Sequence, residues 1–296
     1  MKVAMLVQCH INPDQVNDYI SMFNPDVFDF FIHVDLKSKI QSEICKLDNV
    51  YFVPETQRQS VYWGGYTQVK ATMSLIRTAV GSQSDYDFYW LCSGQDFPIR
   101  PSDEIEQYLS SNLEANFLDL AASKNHPVNG RFNRGFEKRY EIFHPQWLIN
   151  KRRGIKKYLW MLYVLITGGT NRTYKIFERT TPNGIKMYFG SQWWCLNSKT
   201  IKWIIEYVDN HPELEKFFKY TICSDEFFFQ SLVMNSPYKD SIHENLVYLD
   251  WSEGKGSPKT LTLEDWPKMM KSNKLLARKI DATGQKELYE RLKQIG

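Results

Sequence analysis

The sequence predicts an α/β sandwich with a central, mostly parallel sheet flanked by helices. Two observations carry that reading. The runs KVAMLVQCH (2–10), VFDFFIHVD (27–35) and DFYWLCS (87–93) are almost continuously apolar, as strands covered on both faces are. Helical periodicity fills the spaces between them, most clearly over Tyr66 to Val80, where Val69, Met73, Ile76 and Val80 recur at helical spacing. With 296 residues, 43% of them apolar and 24% charged, the chain suits one large domain or two closely packed ones.

The elements follow in order. The first strand is too short to be a signal peptide and has no small-residue cleavage site. Phe117 to Ala122 reads as a further strand. From about 125 to 185 the pattern loosens into basic and aromatic residues. Order returns with MYFGSQWWCLN (187–197), a helix over Ser198 to Asn210, a helix opened by SDEFFF (224–229), and the strand ENLVYLDW (244–251). The tail from Leu263 reads as helical and charged. There are no internal repeats and no low-complexity tract.

In such sheets ligands bind beyond the carboxyl ends of the strands. Three ends therefore matter: Gln8-Cys9-His10, His33-Val34-Asp35 and Ser93-Gly94-Gln95-Asp96. They put His10, Asp35, Ser93, Gly94, Gln95 and Asp96 at the mouth of a candidate nucleotide pocket. Neither GxGxxG nor GxxxxGK[ST] is present, so the phosphate would not be held by a dinucleotide fingerprint or a P-loop.

Composition narrows the ligand. Nine Trp, 17 Tyr and 18 Phe make up 15% of the chain, and amphipathic rings line sugar sites as well as cores. A net charge of +3 is too small to imply nucleic acid. Five cysteines, odd in number, far apart and without CxxC spacing, argue against a disulfide framework and a zinc site. No stretch reaches the roughly 18 apolar residues of a membrane span. The nearest, YLWMLYVLIT (158–167), follows the basic run KRRGIKK (151–157). A cytoplasmic protein at the inner face of the cell membrane is expected, with 151–167 as the candidate peripheral contact for anionic lipid or a lipid-linked acceptor.

A metal would need a carboxylate pair at a strand's carboxyl end. Asp85-Tyr-Asp87 lies at the wrong end of its strand, and Asp35 and Asp96 each lack a partner two residues away. A bound diphosphate would then rest on protein cations, for which Lys259 and the pair Arg278-Lys279 are candidates. In TICSDEFFFQSLV (221–233), Ser224 is a good N-cap, and Asp225 and Glu226 suit a first helical turn. The stretch alone leaves open whether these carboxylates cap a helix or whether one of them is a base.

Eight segments, in order and covering nearly the whole chain, resemble glycosyltransferase family 14, the core-2/I-branching N-acetylglucosaminyltransferases and peptide O-xylosyltransferases. They are HVDLKS (33–38), VYWGGYTQVKATMSLI (61–76), WLCSGQDFPIRP (90–101), KRYE (138–141), FGSQWWCLN (189–197), SDEFFFQSLVMNSP (224–237), VYLDW (247–251), and SPKTLTLEDW with LLARKID (257–281). The resemblance implies a GT-A-like fold and metal-independent, inverting transfer of GlcNAc or xylose from a UDP-sugar to a glycan hydroxyl. No cofactor is implied beyond that donor.

Residue by residue, it implies that Glu226 is the base, with Asp225 beside it on the acceptor side. Lys279 braces the diphosphate, with Lys259 or Arg278 as the second cation. Trp63 falls at the nucleotide end, and Ser93 to Pro98 borders donor and acceptor. Gln192, Trp193 and Trp194 lie near the acceptor, where Arg131, Arg134 and Glu137 also fall. On this reading 1–296 is one catalytic domain, with a nucleotide-binding half (1–122) and an acceptor-binding, catalytic half (123–296). It resembles a bacterial member acting in surface polysaccharide synthesis. A glycoside hydrolase or a non-catalytic glycan-binding protein are the rival readings.

Overall fold

The computed structural model describes residues 1–82, 84–129, 135–144, 178–254 and 257–295, with single positions between 145 and 162. Arg131, Arg134 and most of 151–167 lie outside the described residues. The framework is a seven-stranded sheet in the order β3-β2-β1-β4-β7-β6-β8. Its strands are β1 (Val3–Cys9), β2 (Phe28–Val34), β3 (Val50–Phe52), β4 (Phe88–Ser93), β6 (Asn116–Leu120), β7 (Gly190–Asn197) and β8 (Ile242–His243). β1, β2, β3 and β4 pair in parallel; β7 alone runs against its neighbours β4 and β6. The sheet is mostly parallel, as expected.

Alternation along the strands divides the interior in two. Val3, Met5 and Val7 of β1 join one core with Phe28 and Phe30 of β2 and Trp90 of β4. Ala4 and Leu6, with Phe31, Tyr89 and Leu91, join the other. Helices α1 (Pro13–Ser21) and α3 (Ser102–Ser110) cover the first face, as does the C-terminal helix Lys286–Lys293. The second face is covered by α2 (Tyr66–Val80) and by the helices Ser198–Asn210 and Phe228–Asn235. These successive side chains point to opposite faces because the strand period is two.

A second sheet, β5-β10-β9, departs from the reading of the tail. β10 (Leu276–Arg278) lies between β5 (Phe97–Pro98), antiparallel, and β9 (Val247–Leu249), parallel. The tail is therefore helix (Trp266–Lys271), strand, then helix (Lys286–Lys293). LLAR has no local strand signature; its pairing with distant segments makes it one. The SDEFFF helix also starts later than expected. Ser224–Glu226 form a 3-10 turn entered through Cys223 at φ 52°, no side chain caps it, and the α-helix begins at Phe228. Among the described residues no helix is long and apolar enough to cross a membrane.

Candidate active site

A cavity of about 1170 Å³ opens beyond the carboxyl ends of β1, β2 and β4. Gln8, His10, Asp35, Ser93 and Gln95 line it from those strand ends. Its far wall carries Gln192 and Trp193 from β7, Asp225 and Glu226, and Arg278 and Lys279 at the end of β10. Trp63, 58% exposed, and Trp251, 52% exposed, stand at its rim.

The end of the cavity beside β2 is a braced loop. The Asp35 carboxylate accepts from the backbone N–H of Lys37 at 2.8 Å and of Val61 at 3.2 Å. Lys37 donates to the Val61 carbonyl at 2.5 Å and sits 4.7 Å over the Tyr62 ring. Arg58 donates to the carbonyls of Val34 (2.9 Å) and Asp35 (3.1 Å). His33 accepts from Gln59 N–H at 2.9 Å, and burial lowers its pKa to about 4, so the ring is neutral. These bonds hold residues 57–63 against β2 and present Trp63 to the cavity.

The cationic wall depends on a buried pair. Asp96 is 0% exposed; its carboxylate accepts from Arg278 at 2.9 Å and from Ser93 N–H at 2.8 Å. Burial pushes the Asp96 carboxyl up while the Arg278 guanidinium pulls it down. The guanidinium also lies 4.3 Å over the Trp193 ring. Lys279 follows on the cavity wall, its pKa lowered by desolvation and then by Arg278. The Ile280 N–H donates to the Gln95 carbonyl at 2.9 Å, which fixes the pair beside the β4 loop.

Five expected site residues sit elsewhere. Lys259 donates to both oxygens of Asp265, at 2.8 and 2.9 Å, and does not line the cavity. Asp265 is held there because it closes a capping box with Thr262. Trp194 is 0% exposed and packs on Phe229 at 5.0 Å, because in a strand its neighbour Trp193 takes the other direction. Gly94 is structural: a Cβ there would fall 2.8 Å from the Cys9 Cβ. Asp96 acts behind the cavity, through Arg278. Glu137, 6% exposed, likewise faces away and accepts from Lys124 N–H at 2.8 Å. Arg134 lies outside the described residues. Asp85 and Asp87 are away from the cavity; Asp87 accepts from the Lys2 N–H at 2.8 Å.

The model of the Core-2/I-Branching enzyme family matches residues 19–275, most of the chain. The chain belongs to that family. Relatives include xylosyltransferase 2 of Canis lupus familiaris, 27% identical over 296 residues, which covers 88% of this chain and 30% of the relative. Xylosyltransferase 1 of Rattus norvegicus is 25% identical over 244 residues, covering 80% and 26%. The chain thus spans about a third or less of the length of the curated relatives it matches. Mouse xyloside xylosyltransferase 1 overlays 93% of the chain and 96% of its own at a TM-score of 0.37 and 11% identity.

For a branching-enzyme family member, the residue missed by sequence reasoning is Arg139. Its Nη1 donates to Glu226 Oε2 at 2.8 Å, inside the cavity. It lies in KRYE, where nothing local sets it apart from the neighbouring basic residues. Gln68 was missed too; it donates to Gln192 Oε1 at 2.7 Å and fixes that amide on the wall. Among the described residues, no three His, Cys, Asp or Glu side chains gather as a metal site would need.

Proposed function

We propose that this protein transfers GlcNAc or xylose from a UDP-sugar to a hydroxyl of a glycan acceptor, with inversion and without a divalent cation. One observation carries the reading: Glu226 and the Arg278-Lys279 pair line the same cavity. Glu226 takes the acceptor proton while the acceptor oxygen attacks the anomeric carbon from the side opposite the diphosphate. Negative charge growing on the departing diphosphate is met by Lys279 and Arg278, already in place before reaction. Residues 1–122 supply the nucleotide end through Trp63, His10 and the braced loop. Residues 123–296 supply the acceptor side through Gln192, Trp193, Asp225 and Glu226. A hydrolase needs two carboxyl groups flanking one bond; here Asp225 is beside Glu226 in one turn, and the other cavity carboxylates, Asp35 and Asp119, accept from backbone N–H groups.

Glu226→Gln is expected to lower turnover on the order of 10²–10⁴-fold with the fold intact by circular dichroism. Near-normal turnover would remove Glu226 as the base. Activity is expected to survive EDTA; loss of activity restored by Mn²⁺ would overturn the cation-only mechanism.

The setting we infer is a bacterial cytoplasm, in synthesis of a surface polysaccharide. All five thiols are free, and four of them are buried, which suits a reducing compartment. The basic run 151–157 beside the apolar 158–167 supports a peripheral contact with anionic membrane, where a lipid-linked acceptor would be met. Co-sedimentation with anionic liposomes should fall for a Lys156→Glu/Lys157→Glu variant.

A further inference from the structure

We propose that Arg139 is a latch on Glu226 that restrains hydrolysis of the nucleotide sugar until a sugar acceptor is bound. The proposal rests on Glu226 being the base. An ionised glutamate beside an anomeric carbon does not by itself distinguish a sugar hydroxyl from water. In the wasteful reaction Glu226 removes a proton from water and the water oxygen bonds to the anomeric carbon. The carbon–oxygen bond to the diphosphate then breaks, with its electron pair leaving on the diphosphate. The products are free sugar and nucleoside diphosphate.

Arg139 is placed to oppose this. Its guanidinium donates to Glu226 Oε2 at 2.8 Å, and the two side chains are 31% and 28% exposed. A carboxylate oxygen that accepts a charge-assisted bond is a weaker base, and its lone pair is engaged. The guanidinium is seated over two rings, 5.2 Å from the centroid of Phe136 and 5.1 Å from that of Phe189. Those rings stack on each other at 3.8 Å. The Arg139 carbonyl accepts from Ile222 N–H at 3.0 Å, four residues before Glu226, so the arm and its target are tied together. Arg179 secures the next turn: its N–H donates to the Glu141 carbonyl at 2.7 Å and its side chain donates to the Tyr220 carbonyl at 2.8 Å.

A sugar acceptor differs from water in carrying several oxygens in fixed geometry. One hydroxyl can donate to Glu226 while a neighbouring oxygen accepts from Arg139. The ion pair then opens without leaving either charge unmet, and a single water offers no such exchange.

The test measures release of nucleoside diphosphate from UDP-GlcNAc and UDP-xylose, alone and with a panel of methyl glycosides as acceptors. Arg139→Gln is expected to raise acceptor-free hydrolysis about tenfold and to raise the ratio of hydrolysis to transfer. Arg139→Lys, which keeps the charge, is expected to restore most of the restraint. Should Arg139→Gln not fold, Phe189→Leu loosens the seat and should move the ratio the same way by less. If hydrolysis and transfer fall in parallel in these variants, Arg139 only orients Glu226 and the latch is refuted. Glu226→Gln separates the two ideas. If it abolishes hydrolysis while the Arg139 variants leave the ratio unchanged, the latch alone fails; if it hydrolyses like wild type, the base itself is wrong.

Discussion

Arg278 and Lys279 are adjacent cations with different tasks. Arg278 is matched inside the protein by Asp96 and by the face of Trp193, so part of its charge is spent on structure. Lys279 sits on the cavity wall with a pKa lowered by desolvation, a state that ligand phosphate would relieve. Removing one partner of a buried pair leaves a charge without its match, at a cost of about 3–5 kcal/mol. Asp96→Asn and Arg278→Gln should each destabilise the protein on that scale, and the double variant by clearly less than their sum. Additive losses in a urea-denaturation cycle would show that the pair does not act as a unit. Lys279→Ala should leave stability near wild type and lower kcat about 10²-fold or more, the loss found when one preorganised charge-stabilising group is removed.

At the level of elements, what local pattern specifies was legible. The helices Tyr66–Val80 and Ser198–Asn210 have the bounds that periodicity sets, and the three apolar runs are β1, β2 and β4. What depends on distant partners was not. LLAR becomes a strand only between β5 and β9, and SDE becomes a 3-10 turn because Cys223 takes a left-handed conformation. Strand alternation in β7 separates Trp193 from Trp194, and the capping box closed by Thr262 and Asp265 fixes the carboxylate that draws Lys259 away from the cavity. Arg139 stood out in no local pattern, because only the packing of Glu137–Tyr140 on the 219–222 turn selects it from the basic residues nearby. β7 offers a test of its own. A Cβ on Gly190 would fall 1.9 Å from the Asp119 carbonyl, next to the break in register between Leu118 and Leu120. Backbone on that side cannot give way as a flexible side chain would. Gly190→Ala should therefore part β6 from β7 and cost about 3 kcal/mol, read as a lower Tm. A wild-type Tm would mean that the strands tolerate a wider spacing.

Across the whole molecule, the cavity draws on residues from Gln8 to Lys279, so its shape is only as stable as the fold that gathers them. His33 links that stability to pH. The ring is 1% exposed, it accepts a hydrogen bond that requires an unprotonated nitrogen, and burial holds its pKa at about 4 against an ordinary 6.5. Between those two values the unfolded chain binds a proton that the folded chain refuses. The stability contributed by neutral His33 is complete above about pH 6.5 and is lost as pH falls toward 4. At 1.36 kcal/mol per pKa unit, the loss by pH 4.5 is about 2–3 kcal/mol. Since His33 anchors Gln59, the strain falls first on the loop that carries Trp63, and donor binding should weaken before the global fold is lost. His33→Gln keeps an acceptor for the Gln59 N–H and removes the titrating ring. Urea denaturation at pH 7 and pH 4.5 should show wild type losing about 2–3 kcal/mol more than this variant across the interval. Equal losses would place the acid sensitivity elsewhere, in carboxylates such as Asp265 whose folded pKa lies below the ordinary value and whose contribution is also lost on acidification.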